Sequence, residues 1–244
     1  MIEDLIVFWP ALVAGLLVAA THVPLGIEVL RRGIVFIDLA VAQFAGLGVI
    51  AADWLGFDHH GPAVQVSALG AALAGALILN WTDRRWPQVQ EAIIGVAFVV
   101  AANMAIILLA AHPQGSEHLK DLLVGQLLWV RAEQLPLAAA ASAAILALWF
   151  FLKGRLFYIV FACAVTLSVQ LVGIYLVFAT LVIPALATRR LPVGYALAAL
   201  GYAAGLLLSA LFDLPAGPSI VCTLAMLFLA GAARWETFGG RSPR

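Results

Sequence analysis

Charged residues are scarce in this chain. The 244 residues include 13 Lys and Arg and 13 Asp and Glu, which together make up only 11% of the sequence. A soluble domain carries about 25% charged residues, because its surface has to be hydrated. Since 64% of the residues are hydrophobic, the chain has too few polar groups to cover a water-soluble globule. A bilayer removes that requirement, so the composition indicates an integral membrane protein.

Cysteines and catalytic motifs are also few. Cys163 and Cys222 both lie in apolar stretches and are typical of small buried residues, not of a disulfide or a metal pair. The sequence has no Walker A loop, no Gly-x-Ser-x-Gly and no His-Glu-x-x-His. The formal net charge of zero gives no reason to expect a nucleic-acid partner. A transporter subunit is favoured, with an intramembrane enzyme and a membrane scaffold as alternatives.

Long apolar runs fill most of the sequence. A spanning helix needs roughly 20 apolar residues, so this length accommodates about seven to nine membrane segments in a single transmembrane domain, 1–244. The runs long enough to span are 5–22, 34–53, 63–81, 91–111, 134–152, 193–212 and 219–233. A shorter run at 119–130 predicts an interfacial or re-entrant helix. The sequence therefore predicts an all-α, multi-spanning helical bundle.

One apolar run has an unusual length. Residues 157–188 are too many for one straight crossing and too few for two full ones. Gly173 lies at the middle of this run and Pro184 near its end, and both residue types interrupt helices. We therefore predict a broken or re-entrant helix over 157–188.

The placement of Lys and Arg predicts the topology. Basic residues occur at the joints 31–32, 84–85, 153–155 and 189–190 and in the C-terminal tail. The joints 53–62 and 213–218 hold none. Basic joints face the cytoplasm, and all of them can do so only if 157–188 enters the membrane and returns. We therefore expect the N-terminus outside and the C-terminus in the cytoplasm.

Several phrases, in this order, resemble the permease subunits of zinc- and manganese-type ABC importers. They are Pro24-Leu25-Gly26 followed by Leu30-Arg31-Arg32, the run from Leu122 to Val130, the run from Val172 to Ala185 containing Val-Gly and Ile-Pro-Ala, and Asp213-Leu214-Pro215-Ala216-Gly217-Pro218-Ser219. Each phrase is short, but the ordered set covers most of the chain.

The resemblance implies a BtuC-like importer fold in the inner membrane of a bacterium. It implies two permease subunits around a central path, two cytoplasmic ABC ATPase subunits and an external metal-binding protein. The chain would then have no enzymatic activity and no stably bound cofactor, and its substrate would be a divalent metal, zinc first and manganese second. The loop with Thr188, Arg189 and Arg190 falls where the family contacts its ATPase.

Asp38 is the sharpest candidate for a residue that meets the metal, because an ionisable group at membrane depth costs about 2.5–3.5 kcal/mol or more. The family carries an Asp followed four residues later by His in this helix, a spacing that can present both groups to one ion. Here Ala42 takes that position and Gln43 follows it, about 140° around the helix from Asp38. Path lining by Asp38 and Gln43 is one interpretation. The other is that Asp38 pairs with Arg31 or Arg32, or caps a neighbouring helix.

The histidines are weaker candidates. His22 ends the first apolar run and is either a path residue or an interfacial histidine. Asp58, His59 and His60 lie in a joint expected outside the cell and are candidates for an outer metal contact. His118 and Asp121, three residues apart beside the short run, form a second such candidate.

Overall fold

The computed structural model describes residues 2–57, 61–110, 127–152, 154 and 156–238, and every regular element within them is a helix. The helices are α1 Ile2–Arg32, α2 Ile37–Trp54, α3 Pro62–Arg85, α4 Gln90–Ala110, α5 Leu135–Leu152, α6 Phe157–Val172, α7 Ile174–Ala187, α8 Leu191–Phe212 and α9 Ala216–Phe238. Short 3-10 turns lie at Pro87–Val89, Leu127–Trp129 and Ala132–Gln134. Most of the predicted short helix at 119–130 lies outside the described residues.

The helix lengths fit a multi-spanning membrane protein. Six of the described helices are long and apolar enough to cross a bilayer, and three further apolar helices are shorter. These three correspond to α6, α7 and the Ala216–Gly231 part of α9. The predicted all-α bundle of membrane segments is therefore confirmed.

The first helix is longer than the sequence predicts. We expected a span ending near residue 22, but α1 continues through Pro24 to Arg32. Proline has no N–H, so the carbonyl of Ala20, one turn earlier, loses its usual helical partner. The Tyr195 hydroxyl of α8 donates to that carbonyl at 3.1 Å. A neighbouring helix thus satisfies the freed backbone group, as is common for proline in membrane helices.

The predicted break in 157–188 is confirmed. Gly173 stands between α6 and α7 with φ 82° and ψ 163°, a conformation that favours glycine because it has no Cβ. Its N–H still closes α6 by donating to the carbonyl of Val169 at 2.8 Å. The chain therefore changes direction at one residue, and α7 starts as a separate short helix.

Both ends of the broken element lie at the same end of the molecule. The Arg32 guanidinium, at the end of α1, stands 4.4 Å from the ring centre of Phe157 and donates to the Gly154 carbonyl at 3.4 Å. Leu30 of α1 lines one groove together with Arg189 and Arg190, which follow α7. The path from 157 to 188 thus goes in and returns, as predicted. We call this side of the molecule the basic end.

Two further joints lie at the basic end. Gln90, which follows the basic pair that ends α3, donates to the Tyr158 hydroxyl at 3.3 Å and to the Leu79 carbonyl at 2.9 Å. Thr82 donates to the Gln90 side chain at 2.9 Å, so this small polar cluster joins α3, α4 and α6. Phe228 and Gly231 of α9 line the same groove as Arg190, so the second half of α9 also lies at the basic end.

The interior is built on close helix contacts. A Cβ added at Gly26 of α1 would collide with the backbone carbonyl of Leu181 in α7. Small residues let helix backbones approach closely in lipid, where burial of apolar surface gives little driving force. The contact at Gly26 therefore fixes α1 against α7, the helix that follows the Gly173 break.

Candidate functional site

Asp38 lies in the first turn of α2 and is fully buried. Neither of its carboxylate oxygens has a hydrogen-bond partner within the described residues. A buried charge without a partner is costly, and in membrane segments such groups mark sites of function. The start of a helix offsets part of this cost, because the macrodipole favours a carboxylate there.

The ion-pair interpretation of Asp38 is wrong, because both arginines bind another carboxylate. Arg31 and Arg32 donate to Glu28 Oε1, each at 2.7 Å. The spacings of three and four residues are those at which side chains on one helix meet. Glu28 thus uses both cations of this joint, and Asp38 keeps its oxygens free of them.

Glu91 holds the beginning of α2. Its Oε1 accepts the N–H of Phe36 at 3.3 Å across a sequence separation of 55 residues. The first N–H groups of a helix have no partner inside it, so an acceptor from another helix stabilises the end. Glu91 therefore fixes the turn in which Asp38 sits, a role that the sequence does not reveal.

Gln43 and Ala42 are also buried in α2. Ala42, one turn after Asp38, offers no ligand atom on the face that Asp38 occupies. Gln43 lies about 140° away around the helix. The paired carboxylate and imidazole of the family are thus absent from α2, as the sequence indicates.

His22 lies on α1 and is fully buried. Its Nδ1 is 3.0 Å from the Val18 carbonyl and 3.0 Å from the Thr21 hydroxyl, whereas its Nε2 has no partner. It forms no hydrogen bond with Asp38. In the described part of the chain, no three His, Cys, Asp or Glu side chains come together as a metal cluster.

Thr188, Arg189 and Arg190 follow α7 in a short exposed segment at the basic end. Thr188 ends the helix with extended backbone, and its hydroxyl accepts the Arg190 N–H at 3.1 Å. Both arginine side chains are exposed. They border a groove whose other walls come from α1, α8 and α9, through Leu30, Val193 and Phe228 among others.

The remaining candidates fall outside the described residues. These are Asp58, His59 and His60 after α2, and His118 and Asp121 before the turn at Leu127–Trp129. Their role in an outer metal contact stays a prediction. Sequence reasoning passed over Thr166 of α6, which is buried with its hydroxyl oxygen unpartnered. A lone threonine in an apolar run gives little signal, because such hydroxyls usually bond their own helix.

The fold is that of an ABC transporter permease, a multi-pass membrane subunit. It matches the solved structure of PsaBC from Streptococcus pneumoniae in complex with Fab, with a TM-score of 0.75, 22% identity and coverage of 95% of both chains. A second match is an ABC transporter described as of the metal-chelate type in an inward-facing conformation. It has a TM-score of 0.69 and 15% identity over 92% of this chain and 85% of that one.

The chain belongs to the ABC 3 transport family, whose model matches residues 5–161 and 151–234. The sequence is 24% identical to the high-affinity zinc uptake system membrane protein ZnuB of Haemophilus influenzae, over 94% of this chain and 98% of that protein. It is 27% identical to an uncharacterized membrane protein of Synechocystis sp., over 91% of this chain and 89% of that protein. The resemblance stated from the sequence is therefore confirmed.

Proposed function

We propose that this chain is the membrane-spanning permease subunit of an ABC importer for a divalent metal ion, with zinc as the first choice and manganese as the second. Membership of the ABC 3 transport family, shown over residues 5–161 and 151–234, carries the proposal. The name of the Haemophilus influenzae relative, a zinc uptake protein, supports zinc. The metal is the substrate, and no cofactor is expected to stay bound.

The orientation follows from the basic end. Arg31, Arg32, Arg189 and Arg190 share this end, and positive residues near spans favour the cytoplasm. We infer that the basic end faces the cytoplasm of a bacterium and that the protein lies in the inner membrane. Because α1 runs toward the basic end and α9 approaches it, this orientation would put the N-terminus outside and the C-terminus inside.

The groove at Thr188, Arg189 and Arg190 is the proposed contact for the ATPase. ATP is hydrolysed in the cytoplasm, so the coupling surface has to lie at the basic end. The groove joins α7, the helix that begins at Gly173, to α8 and α9. A displacement of this segment by the ATPase would be transmitted to α1 through the close contact between Gly26 and Leu181.

Asp38 is proposed to bind the cation inside the membrane near the cytoplasmic end of the path, because it lies in the first turn of α2, close to the basic end. Its oxygens are unpartnered in a buried position, which suits a group that binds a passing cation and releases it. Gln43 and His22 are proposed to line the same route. Asp58, His59, His60, His118 and Asp121 are proposed to meet the metal at the outer entrance.

The assembly proposed for this single permease domain contains other chains. Two copies of the permease would surround the path, two cytoplasmic ABC ATPases would supply energy, and an external metal-binding protein would deliver the ion. The part of the chain that the structure describes forms helices and short joints and contains no ATPase domain. Membrane lipid surrounds the assembly, and no nucleic acid takes part.

Co-expression tests this function. The chain would be produced with a candidate ABC ATPase and a candidate metal-binding protein of the same organism, purified through a tag on the permease, and assayed for zinc-stimulated ATP hydrolysis. We expect the ATPase to co-purify and its activity to rise when the metal-loaded binding protein is added. Purification of the permease without any ATPase, together with unchanged metal uptake in cells that lack this chain, would contradict the proposal.

A further inference from the structure

The groove beside Arg189 and Arg190 is a large cavity as well as a charged surface. It encloses about 1130 Å³ between the end of α7 and the helices α1, α8 and α9. Its charged lining residues are Arg189 and Arg190, and no Asp or Glu of the described part of the chain lines it. The groove therefore combines a large volume with a positive charge.

The hydrogen-bond donors at the mouth of the groove are available to a ligand. Arg189 and Arg190 are exposed, and neither guanidinium forms an ion pair with a described residue. Glu28, the carboxylate of the basic end, already binds the two arginines that end α1. The Thr188 hydroxyl accepts the N–H of Arg190 at 3.1 Å, which leaves its own O–H to donate. An anion would satisfy these donors with strong, charge-assisted hydrogen bonds.

The walls of the groove lead from the arginines into the membrane. Arg190 precedes α8, and Leu197 lies seven residues later, about 10 Å along the helix axis. The headgroup layer on each side of a bilayer is only about 5–8 Å thick. Leu227 and Phe228 of α9 add further apolar surface. The groove therefore continues past its charged mouth to the depth of the lipid acyl chains.

One class of molecule matches both parts of the groove. A phospholipid carries a phosphate directly beside its acyl chains, and basic pockets between membrane helices on the cytoplasmic side bind anionic lipid headgroups. A soluble anion would match only the mouth, and a neutral hydrocarbon would match only the walls. Leu186 and Val193, which also line the groove, are about half exposed, so a lipid can enter from the surrounding bilayer.

We propose that this groove binds an anionic phospholipid of the cytoplasmic leaflet, with its phosphate at Arg189 and Arg190 and an acyl chain along Leu197 and Phe228. The site goes beyond the transport function and requires only that the basic end faces the cytoplasm. It is compatible with the ATPase contact, because each guanidinium carries five N–H donors and can bind a phosphate on one side and a carboxylate on another. The ATPase would meet the mouth from the cytoplasm, whereas the lipid fills the part within the membrane.

The first test measures the headgroup preference of the full chain. The permease would be purified in detergent, alone and with its ATPase, and incubated with equal amounts of phosphatidylglycerol and phosphatidylcholine that carry the same acyl chains. Native mass spectrometry would count the lipid that stays bound. We expect at least about tenfold more phosphatidylglycerol, because two basic residues face the phosphate and the choline cation cancels the charge of the competitor.

The arginines are tested as a pair. Replacing Arg189 and Arg190 together by glutamine should lower the preference for phosphatidylglycerol at least about fivefold, because the charge at the mouth is lost. Both residues are exposed, so the fold should survive the change. Replacing Arg84 and Arg85 by glutamine removes the same charge from another joint of the basic end and should change the preference by less than about twofold.

The acyl-chain part is tested by filling the groove. Gly231 lines it, and a Cβ added there meets no atom within 4 Å. Gly231→Phe therefore places a ring in the groove without a clash and should remove most of the bound phosphatidylglycerol. Gly70→Phe is the matched control, because Gly70 of α3 is also exposed and also meets open space, but lies outside the groove. This variant should retain the lipid.

Three results would overturn the lipid site. They are equal binding of the two lipids by the unaltered chain, an equal loss of preference in the two double arginine variants, and equal retention of lipid in Gly231→Phe and Gly70→Phe. Loss of the bound phosphatidylglycerol when the ATPase joins would show that the ATPase fills the groove instead, and would overturn it as well. None of these readouts depends on metal uptake, so failure of the lipid site and failure of the transport function are distinguishable.

Discussion

The inner helix α1 differs from the outer helices α4 and α5 in both burial and composition. Two thirds of the α1 window Phe8–Arg32 is buried in the subunit, whereas only 22% of each of the windows Pro87–Leu109 and Ala132–Leu152 is buried. Yet α4 and α5 are the more apolar helices, and α1 carries His22 and Glu28. In a bilayer a highly apolar helix can face outward, because lipid solvates it.

This difference changes how an interior is recognised. In a soluble protein the apolar face marks the core, but here the exposed helices are apolar as well, so apolar residues alone do not mark it. The exposed large residues of α4 include Val96, Val99, Val100, Met104, Ile106 and Ile107. By contrast, α1 meets its neighbours through Gly15, Gly26 and the carbonyl of Ala20. The same substitution should therefore affect stability differently in the two regions.

The largest effect is expected from Gly26→Leu. The added side chain would collide with the backbone carbonyl of Leu181, which cannot rotate away, so overpacking should cost more than the usual 1–3 kcal/mol, about enough to prevent folding. The matched variant Gly95→Leu on α4 meets open space and should be tolerated. The measurement is the fraction of purified protein that stays monodisperse after heating. Equal survival of both variants would show that the close contact is not essential.

Asp38→Asn should separate transport from stability. Zinc uptake should fall at least about tenfold, because the carboxylate is lost from the path, while the melting temperature should not fall, because an unpartnered buried charge is removed. Asp213→Asn is the control, since Asp213 is exposed with φ 52°, a conformation that Asn also adopts readily. Normal uptake by a well-expressed Asp38→Asn would remove this residue from the path.

A smaller effect is expected at the basic end. Replacing Arg189 and Arg190 together by alanine should reduce co-purification of the ATPase about fivefold, as losing interface charges does. Replacing Arg84 and Arg85 by alanine changes the same charge at another joint of this end and should have less effect. Equal loss in both double variants would indicate general electrostatic attraction and contradict a specific contact in the groove.

The smallest effect is expected from Arg32→Lys. Lysine cannot reproduce the geometry of Arg32, which binds Glu28, reaches the Gly154 carbonyl and stands over the Phe157 ring. We expect a loss of about 1 kcal/mol, measured as a lower melting temperature. Arg31→Lys should cost less, because the Arg31 side chain is largely exposed and solvent screens its charge. A larger loss at Arg31 would contradict this assignment.

Most of the fold can be predicted from the sequence, because the residues that signal each helix or break lie within that segment of the chain. Gly173 inside an overlong apolar run predicts the break, and the basic joints predict which ends meet. The end of α1 could not be predicted in the same way. Pro24 normally ends a helix, and the group that compensates for it, the Tyr195 hydroxyl, lies 175 residues away from Ala20.

The candidate site is predicted less completely. Asp38 stands out because it is a charge in an apolar run, and the loss of the His partner at Ala42 is visible in the sequence. The sequence also favours Glu28 over Asp38 as the partner of Arg31 and Arg32, because Glu28 lies three and four residues from them on one helix. The support of α2 by Glu91 depends on tertiary structure, as does the free Nε2 of His22.

Metal accumulation in proteoliposomes tests the transport function most directly. The permease would be reconstituted with its ATPase and metal-binding protein, with ATP on the ATPase side. Radioactive zinc would be added on the side of the metal-binding protein, and its movement to the ATPase side would be measured. We predict zinc movement that requires ATP and is lost in Asp38→Asn but kept in Asp213→Asn. Zinc movement at the same rate without ATP, or none by the complete assembly, would contradict an ATP-driven metal permease.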